Sequence, residues 1–123
     1  MNFIGIGNDI IEINRIEKAT KKANFITKVF TENEIKLFEI KGSRAEFFAG
    51  RFAAKEAISK GLGTGFREFS LTDIEVLNNE LGKPYVIFKN SIESYNKKYF
   101  VDISISHCKE YATAVAIIFE GGK

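Results

Sequence analysis

The chain has 123 residues, 45% hydrophobic and 28% charged, with 18 Lys and Arg against 16 Asp and Glu and a net charge of +2. That length fits one domain over residues 1–123, and the composition is that of a globular protein, which excludes disorder, collagen and low-complexity fibres for the chain as a whole. The near-balanced charge argues against a dedicated nucleic-acid binder. A domain of this size buries roughly two-thirds of the surface its unfolded chain exposes, so it folds without a staple. Cys108 is the only cysteine, which rules out an intramolecular disulfide and a Cys-based zinc site. Met1 to Asp9 shows no basic segment ahead of a long apolar stretch, so no signal peptide is expected. No uncharged apolar run approaches the ~20 residues that span a bilayer. The expectation is a cytoplasmic protein without a membrane partner.

In chain order, Phe3-Ile4-Gly5-Ile6 reads as a short strand, with glycines where another backbone approaches closely. From Ile11 to Lys22 the apolar Ile13, Ile16 and Ala19 recur at helical spacing. Thr31 is placed to cap a further helix, with Glu34 three residues on as in a capping box, and Ile35, Leu37 and Phe38 packing inward. The strongest helical segment spans Arg44 to Lys60 and ends at Gly61, read as its C′ residue. Leu71 to Leu77 and Tyr85 to Phe88 read as strands around a turn from Asn78 to Pro84. Ser91 to Lys98 reads as a short helix. Val101, Ile103 and Ile105 then alternate with Asp102, Ser104 and Ser106, the period of a half-buried strand, and Ala112 to Phe119 forms a more buried partner. Helices first and hairpin strands later predict an α+β domain, a mostly antiparallel sheet packed with a long central helix.

At about 100° per residue, Arg44, Arg51 and Lys55 fall on one stripe of that helix, read as its solvated face. Glu56 and Lys60 lie beside Ala49, Phe52 and Ala53 on a second face. Two readings stand there. One is an ordinary i,i+4 Glu–Lys pair; the other is a groove floored by alanines in which Glu56 ligates a metal and Lys60 meets an anion. Gly61-Leu62-Gly63-Thr64-Gly65 follows, either as a helix cap and loop or as backbone N–H groups turned toward a phosphate. It lacks the Gly-Lys-Ser/Thr ending of a Walker A loop.

Asp9, read at the junction of the first strand and first helix, suits an N-cap or a metal ligand. With Glu56 it would leave most positions on Mg²⁺ open to waters and substrate phosphates. His107, closing Ile103-Ser104-Ile105-Ser106-His107, suits a structural hydrogen bonder or a phosphate contact. Cys108 has no companion His and acid for nucleophilic catalysis. Arg15, Lys18 and Lys22 at i, i+3 and i+7 form a basic stripe, either simply solvated or facing an acidic protein partner. Glu12 and Glu17 dilute it, which disfavours nucleic acid.

Three motifs resemble the small synthases of the 4′-phosphopantetheinyl transferase superfamily that act on acyl carrier protein. Gly5-Ile6-Gly7-Asn8-Asp9-Ile10 with Arg15 is similar to the family's opening G-x-D motif and downstream arginine. Phe48-Ala49-Gly50-Arg51-Phe52-Ala53-Ala54-Lys55-Glu56-Ala57-Ile58-Ser59-Lys60 matches the central F-x-x-R-W/F-A-x-K-E-A-x-x-K signature. Ile103 to His107 resembles the C-terminal S-I/L-S/T-H segment. Asn8, where a hydrophobic residue is common, and Lys22, where an arginine is familiar, depart from the pattern; a lysine keeps the charge but loses the bidentate fork.

The resemblance implies transfer of the phosphopantetheine arm of coenzyme A to a serine of apo-acyl carrier protein, with adenosine 3′,5′-bisphosphate as the other product, for fatty acid biosynthesis. It implies Mg²⁺ on Asp9 and Glu56, and catalytic roles for Asp9, Glu56 and Lys60. Lys60, Gly63, Thr64, Gly65 and His107 would contact coenzyme A, and Arg15, Lys18 and Lys22 the carrier. It also implies a homotrimer with active sites between subunits. A non-catalytic coenzyme A-binding module would need the glycines and Lys60 but not both acids; a purely structural trimer would need neither.

Overall fold

The computed structural model describes residues 1–63 and 69–121. The elements run β1 (Asn2–Glu12), α1 (Ile13–Ala19), α2 (Phe25–Val29), α3 (Glu32–Ile40), α4 (Ala45–Leu62), β2 (Ile74–Asn78), β3 (Pro84–Phe88), α5 (Tyr95–Lys98), β4 (Tyr99–His107) and β5 (Tyr111–Glu120). β1, β5 and β4 form an antiparallel three-stranded sheet in that order, and β2 and β3 pair as a separate hairpin. The fold is α+β, with α4 lying across one face of the larger sheet. No helix among the described residues is long and apolar enough to cross a membrane.

β1 runs on through Glu12 instead of ending at Ile6. Two of its helix-facing positions, Gly5 and Gly7, are glycines, which carry no hydrophobic signal, while Ile6, Asn8 and Ile10 point outward. A Cβ on Gly7 would lie 1.8 Å from the Ala57 carbonyl oxygen, and one on Gly5 would lie 2.3 Å from that of Gly61. Strand and helix therefore touch backbone to backbone, a contact that any larger residue would break. Ala112, Ala114, Ala116 and Ile118 of β5 continue this inward face under Ala53, Ala54, Ala57 and Ile58.

The capping box of α3 is present: Thr31 accepts from the Glu34 N–H, and Glu34 accepts from the Thr31 N–H at 2.9 Å. Phe38 packs against Phe30 and Phe48 in a second cluster with Ile13 and Ile16. Several boundaries move. The expected helix from Ile11 to Lys22 starts at Ile13 and stops at Ala19, so Lys22 leaves it for a turn. α2 was not anticipated. Leu71 to Asp73 forms a single helical turn ahead of β2, and Ser91 to Lys98 splits into another such turn (Asn90–Ile92) and the short α5. α4 extends to Leu62 and is capped by Gly63 in the left-handed region (φ +82°), with Gly61 inside the helix against Ile118.

The largest correction concerns the face of α4 expected to meet solvent. Arg44 is exposed, but Arg51 is 5% and Lys55 0% accessible. Lys55 Nζ donates to Glu34 Oε1 (2.7 Å) and to the carbonyls of Val29 (2.6 Å) and Leu71 (3.0 Å), so its three N–H donors are all used. Glu34 Oε2 accepts from the Val76 N–H at 2.7 Å. Arg51 donates to the Asn78 side-chain oxygen. Long-range partners have turned two surface candidates into core.

Candidate active site

Strand parity puts Asp9 on the side of β1 that faces α4, two residues beyond Gly7. It lies inside the strand, not at a strand–helix junction, and Glu12 occupies the N-cap position of α1, so the capping use of Asp9 falls away. The backbone contact at Gly5 and Gly7 brings the last turns of α4 alongside. From there Lys60 Nζ reaches back to the Asn8 carbonyl (3.0 Å) and Asp9 Oδ1 (3.1 Å). The carbonyl of Asp9 itself accepts from Thr113 Oγ1 at 2.9 Å, which pins the strand beneath it. Lys60 thus pairs across to β1, and no ion pair to Glu56 is formed.

Glu56 stands one helical turn before Lys60. Its proton affinity is raised above the ordinary carboxylate range, first by partial burial and then by the charge of Asp9, with Lys60 opposing. One lysine thus pairs with Asp9 and acts on Glu56 through its charge alone, and its side chain is 55% exposed. A cleft of about 640 Å³ opens beside them. Asp9 and Glu56 line one part of it; Arg15, Lys18 and Lys22 line another; Ile16, Phe25 and Phe52 supply apolar wall. Lys22 reaches the cleft from its turn, although not as part of a helical stripe.

The remaining expected residues lie elsewhere. His107 is exposed at the end of β4, in register with Ala112, and so lies two strands from β1 with β5 between; it does not line this cleft. The Gly63 N–H is taken by the carbonyls of Ser59 and Lys60, which commits it to closing the helix. Thr64 and Gly65 lie outside the described residues. Phe25 was not foreseen as part of the site, because nothing in the sequence announces α2. Phe52 could have been chosen, since it precedes Glu56 by one turn on the same face.

Among the described residues no group of three or more His, Cys, Asp or Glu side chains converges. A site with only two carboxylates does not suit a fully protein-ligated transition metal, but it does suit Mg²⁺, which keeps waters and substrate phosphates around one or two carboxylates. Two acids, a lysine paired with one of them and a basic-rimmed groove thus lie together where β1, α1 and α4 meet.

Residues 5–116 match the model of the 4′-phosphopantetheinyl transferase superfamily, and the chain belongs to that family. Within it, the chain is 57% identical over 120 residues to a holo-(acyl-carrier-protein) synthase of Fusobacterium nucleatum, covering 94% of this chain and 98% of the relative. The fold is similar to the crystal structure of a holo-(acyl-carrier-protein) synthase from Bacillus anthracis in complex with coenzyme A (3′,5′-ADP), at 44% identity and a TM-score of 0.82, covering 99% of this chain and all of that one. It is also similar to the Helicobacter pylori synthase in complex with coenzyme A, at 34% identity and a TM-score of 0.81, covering 92% and 98% of the two chains.

Proposed function

We propose that this chain transfers the 4′-phosphopantetheine arm of coenzyme A to a serine of apo-acyl carrier protein, releasing adenosine 3′,5′-bisphosphate, in the cytoplasm and for fatty acid biosynthesis. The observation that carries the reading is that Glu56 and Asp9, the latter paired with Lys60, line a cleft whose other rim is Arg15, Lys18 and Lys22. In this reaction the serine oxygen bonds to the β-phosphorus of the pyrophosphate as the bond from that phosphorus to the bridging oxygen breaks. The bisphosphate leaves with the electron pair. Glu56, which lines the cleft, is placed to accept the serine proton. Lys60, already beside Asp9, meets phosphate oxygens as a mobile point charge. Asp9 and Glu56 would hold Mg²⁺, whose contribution is to neutralise charge developing on the pyrophosphate. Arg15, Lys18 and Lys22 attract an acidic helix of the carrier.

The site is completed by other copies of the chain, in a homotrimer. The outer face of the three-stranded sheet leaves Phe3, Ile6, Ile10 and Phe100 between 52% and 65% exposed, an apolar face suited to self-association. His107, remote from the cleft in one chain, would then serve a neighbouring site and contact coenzyme A there. Thr64, Gly65 and Gly63 lie after α4, next to Lys60 in sequence, and we assign the same segment to the nucleotide.

Incubation with apo-acyl carrier protein, coenzyme A and Mg²⁺, followed by weighing the carrier, tests the reaction. The expected result is a pantetheinyl mass gain with the native chain, lost with Glu56→Ala and on chelation with EDTA. An unchanged carrier mass with the native chain would refute it, and turnover undiminished in EDTA would remove the metal role of Asp9 and Glu56.

A further inference from the structure

We infer that Lys55 is a positioning residue for carrier docking, because it fixes α2 and thereby the part of the cleft that Lys22 and Phe25 form. The inference rests on the transferase reading above and adds to it a residue that touches neither acid. α1 ends at Ala19, so Lys22 sits in the turn between α1 and α2 and its place depends on how the far side of that turn is held. α2 has five residues, too few to be stable alone. Its N-cap, Asn24, makes no side-chain capping bond and is itself in the left-handed region. Phe25 and Ile26 pack on the core cluster and the Phe25 N–H reaches the Lys22 carbonyl, while the side-chain anchor of the helix is at its other end. The Val29 carbonyl accepts from Lys55 Nζ at 2.6 Å, and Val29 and Phe30 are buried beside it.

The remaining bonds of the ammonium show a tether and not merely a neutralised pair. It donates to the carbonyl of Leu71 as well as to Glu34, and stands 5.3 Å from the centre of the Phe30 ring. Two of its three hydrogen bonds thus go to main chain, in segments 42 residues apart in sequence, which one rigid helix holds at fixed separation. A buried ion pair kept only for packing is replaceable by apolar or neutral groups of like volume at little cost. A tether is not, since a methyl group cannot hold a carbonyl. Phe25 opens α2 and lines the same cleft as Arg15, Lys18 and Lys22, so movement of α2 reaches carrier contacts while Asp9 and Glu56 stay anchored by β1 and α4.

The experiment compares the native chain with Lys55→Met, Lys55→Met/Glu34→Gln and Phe25→Ala by carrier mass gain, melting temperature and amide hydrogen exchange. Lys55→Met alone strands the Glu34 carboxylate and melts lower. The double variant recovers most of the melting temperature, yet its KM for the carrier stays about 5- to 10-fold above native, while kcat and the KM for coenzyme A change less than about twofold. Exchange at residues 25–30 speeds up in both Lys55 variants. A double variant with a restored melting temperature and native carrier KM overturns the inference, as does a fall in kcat that matches the rise in KM. Should the double variant fail to fold, Phe25→Ala must by itself raise the carrier KM selectively, and a native KM there overturns it too. If the native chain gives no mass gain, the transferase reading fails first; the exchange rates then still decide the tether.

Discussion

Lys55 and Glu56 are neighbours on α4, yet they belong to two regions that use the same residue types to opposite ends. Around Lys55 opposite charges are paired at close range: each donor of the ammonium is taken, and Glu34 accepts from Lys55, Thr31 and Val76. Burial there weakens both charged forms, pushing the Glu34 carboxyl up and the Lys55 ammonium down, and their mutual attraction opposes it. Around Glu56 the balance is left open. Asp9 pairs with Lys60, whose side chain is more than half in solvent, and Glu56 feels that charge without an ion pair to it. A closed set of charges fixes a fold; an open, net negative set beside a groove can take up a cation and a phosphate. Position on the helix, about 100° from one residue to the next, is enough to separate the two.

The comparison breaks most readily at Asp9. Asp9→Asn should lower the rate of carrier mass gain by about 10²- to 10³-fold, the usual cost of one electrostatic contact to the reacting group, with little change in melting temperature. A loss of stability as large as the loss of turnover would instead make Asp9 a structural residue like Glu34. Gly7→Ala comes next. Its Cβ would stand 1.8 Å from the Ala57 oxygen, so β1 and α4 must part. A cost of about 1–3 kcal/mol in denaturant unfolding is expected, along with weakened Mg²⁺ binding by calorimetry, because the two acids lie on the separated elements. Arg15→Glu is smaller. It should raise the KM for the carrier about tenfold, equivalent to about 1.4 kcal/mol, and that for coenzyme A less than twofold; equal effects would remove the docking role of this rim.

How much of this was legible in the sequence follows the same division. Local signals were readable: the capping box at Thr31 and Glu34, the alternation from Val101 to Ser106, the hairpin around Gly82 and Pro84. That Asp9, Glu56 and Lys60 lie near one another was readable through motif and helix spacing. What was not readable depends on partners far away in sequence. A helical wheel assigns Arg51 and Lys55 to solvent because it cannot see Glu34, 21 residues before Lys55, or Asn78, 27 residues after Arg51. The length of β1 was hidden for the reverse reason, since its packed face reads Gly5, Gly7, Asp9, Ile11 and only the last of these carries a hydrophobic signal. α2 was hidden because five residues held from outside have no internal pattern to find.

The smallest effect gives the sharpest contrast between the two regions. Glu56 in the folded chain holds its proton more tightly than an ordinary carboxylate, through partial burial and the charge of Asp9. The stability linked to this raised value is therefore fully present below the unfolded carboxylate pKa and is lost as pH rises through the folded one. Above that window the ionised Glu56 is a liability in the metal-free chain, and Glu56→Gln removes it. At neutral pH in EDTA and low salt, the variant should melt higher than the native chain by about 1–2 °C, small because solvent screens the cleft. The difference should shrink to nothing as pH falls below the ordinary carboxylate range. Added Mg²⁺ should reverse the order, because binding to the folded state raises the native melting temperature while the amide gives the ion one ligand fewer. Glu34→Gln, tested beside it, should lower the melting temperature at neutral pH with or without Mg²⁺, since it removes the charge that Lys55 needs. If Glu56→Gln behaves like Glu34→Gln, the acids at the cleft are part of the closed set and no cation belongs between them.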